Sequence, residues 1–150
     1  MSYTRGRKIY IALSAIAEIT VLIIIFMLSA QNGEQSSSTS GFFTQLIALL
    51  AGRPIPEEVI RTLAHFCEFA GLGLLTCNLC LALKDKPKPI HSILFAFGYA
   101  ITDEIHQIFM PGRAFQLTDL AVDLAGITLG VAVLSVLALL IKKYKNKKSH

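Results

Sequence analysis

The sequence has few charged residues and few cysteines, and each shortage excludes a class of protein. Charged residues make up 16% of the 150 residues, whereas an ordinary soluble domain carries about 25%. Hydrophobic residues make up 53%, so the deficit of charge indicates a chain built for a lipid bilayer. This length is enough for one domain. We therefore expect a single membrane domain over residues 1–150.

The three cysteines, Cys67, Cys77 and Cys80, fall in one apolar run, which argues against a disulfide framework. Cys77 and Cys80 form a Cys-x-x-Cys pair without a further thiol or a histidine close by. Small apolar packing residues are therefore a better interpretation than a zinc or redox site. No His-Glu-x-x-His or other compact motif predicts a cofactor, although the acids and histidines could together hold a divalent cation.

The net charge of +4 does not indicate nucleic acid, because the basic residues flank apolar runs. Three lie between Arg5 and Lys8, and five lie in the last nine residues. Such clusters are typical of membrane-flanking charge. No nucleic-acid recognition module is present in the sequence, so we expect no nucleic-acid partner.

Four apolar stretches are long enough to cross the hydrocarbon core, which takes about 20 helical residues. They predict an all-α membrane protein with transmembrane helices over residues 9–28, 63–83, 90–109 and 117–141. The first run is longer than the roughly 7–15 apolar residues of a signal peptide. A retained helix is therefore favoured over a cleaved one.

The segment between the first two predicted spans has three parts. The serine-rich stretch Ser29–Gly41 predicts an external linker. Phe42–Gly52 is apolar but short, so we expect an interfacial or re-entrant helix there. Pro56, followed by Glu57 and Glu58, predicts the start of another short helix, because proline and acids suit a first turn.

The distribution of basic residues predicts the orientation. With the N-terminus in the cytoplasm, four crossings leave the C-terminus there too. Eleven of the 14 basic residues are then cytoplasmic, and the external ones are Arg53, Arg61 and Arg113. This excess predicts an N-in, C-in topology.

In this orientation, three predicted spans carry their ionisable residues in the outer leaflet. His65 and Glu68 are three residues apart and Asp119 and Asp123 four, so each pair shares a helical face. The span between them contributes Asp103, Glu104, His106 and Gln107. Charges at membrane depth cost about 2.5–3.5 kcal/mol each and usually mark function. We therefore expect a polar cavity open to the outer face.

A buried salt-bridge network that only fixes helix register is the alternative to a cavity. Glu18 lies near the middle of the first span, away from the other acids. It must be protonated or paired, and the sequence does not name its partner. Arg113 lies in the loop above the acids and is placed to fold over them.

Four pieces of the sequence carry a family signature. "DEIHQIFMPGR" resembles an Asp-Glu-x-x-Gln-x-Phe-x-x-x-Arg motif, at Asp103, Glu104, Gln107, Phe109 and Arg113. A His-x-x-Glu helix matches at His65–Glu68. A serine-rich stretch after the first helix matches at Ser29–Ser40, and an Asp-x-x-x-Asn-x-x-Gly ending matches at Asp119–Gly126. Together they resemble the VanZ-like family of small bacterial membrane proteins, named after a teicoplanin-resistance protein. Asp123 stands where the family usually has asparagine.

The resemblance implies a role in tolerance of teicoplanin-like lipophilic glycopeptides at the cell envelope. The first hypothesis is a non-enzymatic, multi-pass protein of the bacterial plasma membrane. It would bind the acyl tail of the drug, a membrane lipid or a lipid-linked precursor at the outer leaflet. Its candidate ligand-binding residues are Gln107, Arg113, Asp119 and Asp123.

The second hypothesis is an intramembrane enzyme acting on a lipid-linked envelope substrate, with His65, Glu68, Asp103 and Glu104 as catalytic candidates. Crowded carboxylates provide an acid and a base side by side. Asp103 or Glu68 would be the base, and Arg113 would stabilise a developing anion. A proton-coupled transporter is less favoured, because the acids stop in one leaflet and four helices would need a homo-oligomer.

Overall fold

The computed structural model describes residues 4–148, apart from the side chains of residues 39, 42, 43, 47, 50 and 51. All regular structure in the described range is helical. In chain order the helices are α1 (Arg5–Ser29), α2 (Gly33–Ala51), α3 (Glu57–Lys84), α4 (Pro89–Gln107) and α5 (Leu117–Lys148). The all-α class predicted from the apolar runs is therefore confirmed.

Four of these helices correspond to the predicted spans, but three of them extend past the apolar residues. α1 begins at Arg5 rather than at residue 9, and α5 continues through the lysine-rich end to Lys148. α3 begins at Glu57 rather than at residue 63. Lysine, arginine and glutamate are good helix formers, so a helix does not end where its apolar run ends. α4 is shorter than predicted and ends at Gln107.

The predicted external linker over Ser29–Gly41 is wrong, because α2 begins at Gly33 and contains most of the serines. Asn32 Oδ1 accepts a hydrogen bond from the Gln35 N–H at 2.8 Å. The Gln35 side chain in turn accepts one from the Asn32 N–H at 3.3 Å. This capping box satisfies amide groups that a helix start leaves unpaired, and it starts a helix in a stretch whose composition suggests a loop.

The two short helices predicted around Gly52 are parts of longer ones. Phe42–Gly52 falls in the second half of α2, which ends where Gly52 takes a left-handed φ of 69°. Pro56 is the N-cap of α3, and Glu57 and Glu58 occupy its first turn, as predicted. The helix that starts there is not a separate element, because it continues as the 28-residue α3.

Three helices, α1, α3 and α5, are long and apolar enough to cross a membrane. The prediction of four such helices is wrong for α4, which has 19 residues but ends in the polar stretch Asp103–Gln107. Large apolar side chains cover the outside of α1, where Leu13 is 61% and Met27 65% exposed. Lipid rather than water suits such a surface. The three helices indicate a multi-pass membrane protein.

The helices α3 and α5 run parallel and in register. His65 contacts Asp123, and Cys77 contacts Ser135, and both pairs are 58 positions apart in sequence. Both helices therefore begin at the same end of the bundle. The chain between them has to return along its length, so α4 runs in the opposite direction.

The helix α1 packs antiparallel on α3 through polar side chains. Asn78 Nδ2 donates to Ser14 Oγ at 2.9 Å, and Thr76 Oγ1 donates to Glu18 Oε1 at 2.6 Å. Glu18 is 4% exposed. Thr76 is thus the partner of Glu18 that the sequence does not identify.

Arg7 joins the start of α1 to the end of α3. Its guanidinium donates to the carbonyls of Ala82 and Leu83, each at 3.2 Å, and forms an ion pair with Asp85. The last carbonyls of a helix have no partner within that helix, so Arg7 caps α3. The start of α1 and the turn between α3 and α4 therefore lie at one end of the bundle.

Candidate functional site

A cavity of about 590 Å³ lies between the helices at the end of the bundle away from Arg7. One wall is apolar and comes from α1 and α3, with Ile25, Leu28, Ile60, Leu63 and Ala64. Charged and amide side chains line the rest, among them Arg61, His65, Glu68, Asp103, Gln107 and Arg113. The cavity therefore has one surface suited to hydrocarbon and another suited to a polar group.

The acidic part of the cavity comes from α3 and α4. Gln107 Nε2 donates to Asp103 Oδ2 at 3.0 Å, one helical turn apart. These two residues are 2% and 5% exposed. Glu68 and His65 line the cavity from α3. The three- and four-residue spacings place each pair on one helical face, which the sequence predicts for His65 and Glu68.

Two guanidinium groups lie at the polar end of the cavity. Arg113 follows Gly112, whose φ of 76° forms a tight turn between α4 and α5. Within residues 4–148, the Arg113 side chain makes no ion pair within 4.0 Å. Burial lowers the pKa of Arg113, and the charge of Arg61 lowers it further, against the opposing effect of nearby acids. Arg61 forms an ion pair with Asp119, with Nη2 of Arg61 3.6 Å from Oδ2 of Asp119.

The two guanidinium groups at this end can pair with an anionic group, although Glu68 and Asp103 line the same cavity. Two cations here are close enough to affect each other, and one of them lacks a direct partner within the described part of the chain. Arginine presents a planar set of donors that matches a carboxylate or a phosphate. A bound anion would satisfy Arg113 and relieve its repulsion with Arg61.

A second group of polar side chains is buried behind the cavity wall. His65 Nδ1 lies 3.3 Å from Asp123 Oδ1. Glu104 completes the group. One ring nitrogen of His65 and one carboxylate oxygen each of Glu104 and Asp123 lie within 4.8 Å of one another. Glu104 Oε2 accepts a hydrogen bond from the Gln116 N–H at 2.9 Å. His65 belongs to both groups, because it also lines the cavity.

Close packing of α5 on α3 positions Asp123. A Cβ on Gly126 would overlap the carbonyl oxygen of Phe66, and one on Gly130 would overlap that of Ala70. Only glycine allows the two backbones to approach this closely. The face formed by Gly126 and Gly130 therefore holds Asp123 against α3, and Asp123 is 0% exposed.

A family model, VanZ/LLP1, matches residues 14–140. The chain belongs to the VanZ/LLP1 family. The match covers the cavity and the buried group together, and it confirms the resemblance carried by the four sequence pieces. Neither the curated proteins nor the solved structures compared with the chain gave a match.

In this VanZ/LLP1 chain, the predicted site residues divide into two adjoining groups and a rim. The cavity is lined by His65, Glu68, Asp103, Gln107 and Arg113. Glu104 and Asp123 lie in the buried group, and Asp119 pairs with Arg61 at the rim. Their catalytic and ligand-binding roles stay predictions.

Two features of the VanZ/LLP1 site differ from the sequence-based expectation. The sequence groups His106 with the polar residues expected around the cavity, but its ring stacks on Phe26 with centroids 4.8 Å apart. Sequence reasoning also missed Ser36 and Ser40 of α2, which line the cavity. Their four-residue spacing is a helical signal, which the serine-rich composition obscured.

Proposed function

We propose that the protein binds an anionic amphiphile of the cell envelope in this cavity. The observation that carries the proposal is the two-sided lining, with an apolar wall from α1 and α3 and with Arg61 and Arg113 at the polar end. An acyl or isoprenyl chain would lie along the apolar wall. A phosphate or carboxylate would pair with the guanidinium groups.

Two kinds of amphiphile suit this lining, namely a lipid-linked cell-wall precursor and an acylated glycopeptide of the teicoplanin class. The volume of about 590 Å³ falls within the range of about 300–1,000 Å³ that is usual for small-molecule sites. Membership of the VanZ/LLP1 family supports a connection with glycopeptide tolerance. Holding either molecule at the outer leaflet would reduce the action of such a drug.

We propose that both termini lie in the cytoplasm, with α1, α3 and α5 spanning the membrane and α4 returning the chain beside them. The parallel arrangement of α3 and α5 supports this, because the chain between them has to return. α4 packs on α1, α3 and α5, so it needs fewer apolar residues than a lipid-facing helix. The positive-inside pattern supports an extracellular position for the cavity.

Binding can be measured with the full-length protein in nanodiscs of zwitterionic lipid. A fluorescent isoprenyl phosphate is titrated and its anisotropy recorded, with the matching isoprenyl alcohol as a competitor. A charge-assisted hydrogen bond contributes about 1.5–3 kcal/mol, and each 1.4 kcal/mol is about tenfold in affinity. We therefore expect Arg113→Gln and Arg61→Gln each to weaken binding about tenfold or more.

Arg53→Gln is the matched control, because Arg53 is exposed and does not line the cavity. It should bind the probe as the wild type does. Equal affinity for the phosphate and the alcohol, or equal affinity in all three variants, would contradict the proposal.

Drug tolerance separates the two kinds of amphiphile. Cells expressing the protein are tested with teicoplanin and with vancomycin, which lacks the acyl tail. Tolerance of teicoplanin alone supports binding of the drug's tail, whereas equal tolerance of both supports binding of the precursor. In both cases Arg113→Gln should lower the tolerance and Arg53→Gln should not.

A second candidate function is an intramembrane acid/base enzyme acting on a lipid-linked substrate. The presence of Glu68, Asp103 and His65 in the same cavity supports it, because a bound ligand would touch them. The protein in lipid is incubated with cell-wall precursors, and products are followed by mass spectrometry. Turnover should be lost in Asp103→Asn and kept in Arg53→Gln. Stoichiometric binding without conversion would remove this candidate.

A further inference from the structure

Three metal-ligand side chains from three helices converge in the buried group behind the cavity. His65 of α3, Glu104 of α4 and Asp123 of α5 offer ligand atoms within 4.8 Å of one another. Glu104 and Asp123 are 0% exposed and His65 is 8% exposed. The three residues are far apart in sequence, so the fold rather than a local motif assembles them.

Two carboxylate oxygens of this group have no hydrogen-bond partner within the described chain. They are Glu104 Oε1 and Asp123 Oδ2. Buried carboxylate oxygens are nearly always satisfied by a donor or a cation. His65 Nδ1 already contacts the other oxygen of Asp123, and one histidine cannot neutralise two acids. Two acids beside one histidine therefore leave a place for one further positive charge.

We propose that His65, Glu104 and Asp123 bind one divalent transition-metal ion of the Zn²⁺ or Mn²⁺ class. Imidazole suits zinc and its neighbours, whereas carboxylates suit manganese and harder ions, and a mixed set favours these two. Ligand atoms lie about 2.0–2.2 Å from such an ion, hence about 3–4 Å from one another. The present spread of up to 4.8 Å closes to that range by small side-chain rotations.

The surroundings of Glu104 agree with a ligand role. Its Oε2 is held by the Gln116 N–H, which orients the carboxyl and leaves Oε1 free. Hydrogen bonds of this kind commonly orient the carboxylates that ligate metals. An ion beside His65 would also add positive charge next to the cavity. Binding of the ion requires no amphiphile. An absence of metal binding would therefore leave the proposed amphiphile site unaffected.

The test uses the full-length protein in nanodiscs, stripped with EDTA and then titrated with MnCl₂ without any amphiphile. Electron paramagnetic resonance reports the free Mn²⁺, and ZnCl₂ is added as a competitor. We expect one ion per chain that Zn²⁺ displaces. Glu104→Gln and Asp123→Asn preserve shape but remove a charged ligand, so each should weaken binding about tenfold or more, since even outer-shell changes cost 10–100-fold.

Glu18→Gln is the matched control, because it removes another buried acid with an unpartnered oxygen, outside this group. It should leave the affinity within about threefold, since it touches no ligand. Circular dichroism is recorded to check that each variant keeps its helix content. Equal losses in the control and the site variants, or Mn²⁺ binding that persists in both site variants, would overturn the proposal.

X-ray absorption of the Zn²⁺-loaded wild type gives a readout that needs no variant. We expect a shell of nitrogen and oxygen at about 2.0–2.2 Å that includes one imidazole. A sulfur shell near about 2.3 Å would assign the ion to the cysteines instead. That result, or the absence of a stoichiometric ion, would exclude this site even if every site variant failed to fold.

Discussion

At the scale of single residues, the buried acid Glu18 depends on one hydroxyl group. Thr76 Oγ1 donates to Glu18 Oε1, and Glu18 Oε2 has no partner within residues 4–148. Thr76→Val keeps the shape of the side chain and removes this donor, which should destabilise the fold by about 1–3 kcal/mol. We expect the thermal unfolding temperature in nanodiscs to fall by several degrees.

Thr128→Val is the control, because Thr128 is exposed and bonds only to its own helix. An equal fall of the unfolding temperature in both variants would contradict the expectation.

The single residues also show where prediction from sequence stops. The sequence identifies Glu18 as a buried acid that needs a partner, because an unpaired charge at that depth is costly. It cannot identify Thr76, because the choice depends on how far α1 slides along α3. The same limit applies to Glu104, whose rotation about α4 decides whether it faces the cavity or the buried group.

At the scale of elements, the contact between α3 and α5 depends on glycines. A Cβ at Gly130 would overlap the Ala70 carbonyl oxygen, so Gly130→Ala should force the helices apart at a cost of about 1–3 kcal/mol. It should also move Asp123 away from His65. Gly71→Ala is the control, because in the described part of the chain no atom beyond its own stretch of helix lies within 4 Å of the added Cβ. That change should be neutral or stabilise by about 0.5–1 kcal/mol, as measured by denaturant unfolding in micelles. A smaller loss from Gly130→Ala than from Gly71→Ala would refute this packing.

The elements differ in how well sequence predicts them. Helices α3 and α5 follow from long apolar runs, and the stripes of His65 with Glu68 and of Asp119 with Asp123 follow from helical periodicity. Helix α2 does not, because its start depends on the reciprocal bonds of Asn32 and Gln35. Composition alone treats the serines as a linker, whereas two capping bonds are enough to start a helix.

At the scale of the whole molecule, the proposed orientation can be tested by epitope accessibility. An epitope inserted after Lys86, in the turn between α3 and α4, should be protected from antibody in intact spheroplasts. One inserted after Arg53, in the loop between α2 and α3, should be accessible. Permeabilised cells serve as the control in which both epitopes react. The opposite pattern would place the cavity on the cytoplasmic side and would contradict binding at the outer leaflet.

The whole arrangement is only partly encoded in features visible from the sequence. Hydropathy predicts a membrane protein, and the polar stripes predict that three helices share a polar region. The division of that region into an open cavity and a buried group depends on which residues of α5 lie beside which residues of α3. The close contacts of Gly126 and Gly130 with α3 set this alignment. No residue pattern specifies how closely the two backbones approach.

The long separation in sequence between His65 on α3 and Asp123 on α5 also affects how the chain folds during synthesis. His65 meets Asp123 only after the ribosome has added 58 further positions, which takes about 3–12 s at about 5–20 residues per second. The synthesis of α3 is completed during this interval, while the histidine still lacks its acid. The contact between His65 and Asp123 can therefore form only after this part of α5 has been synthesised.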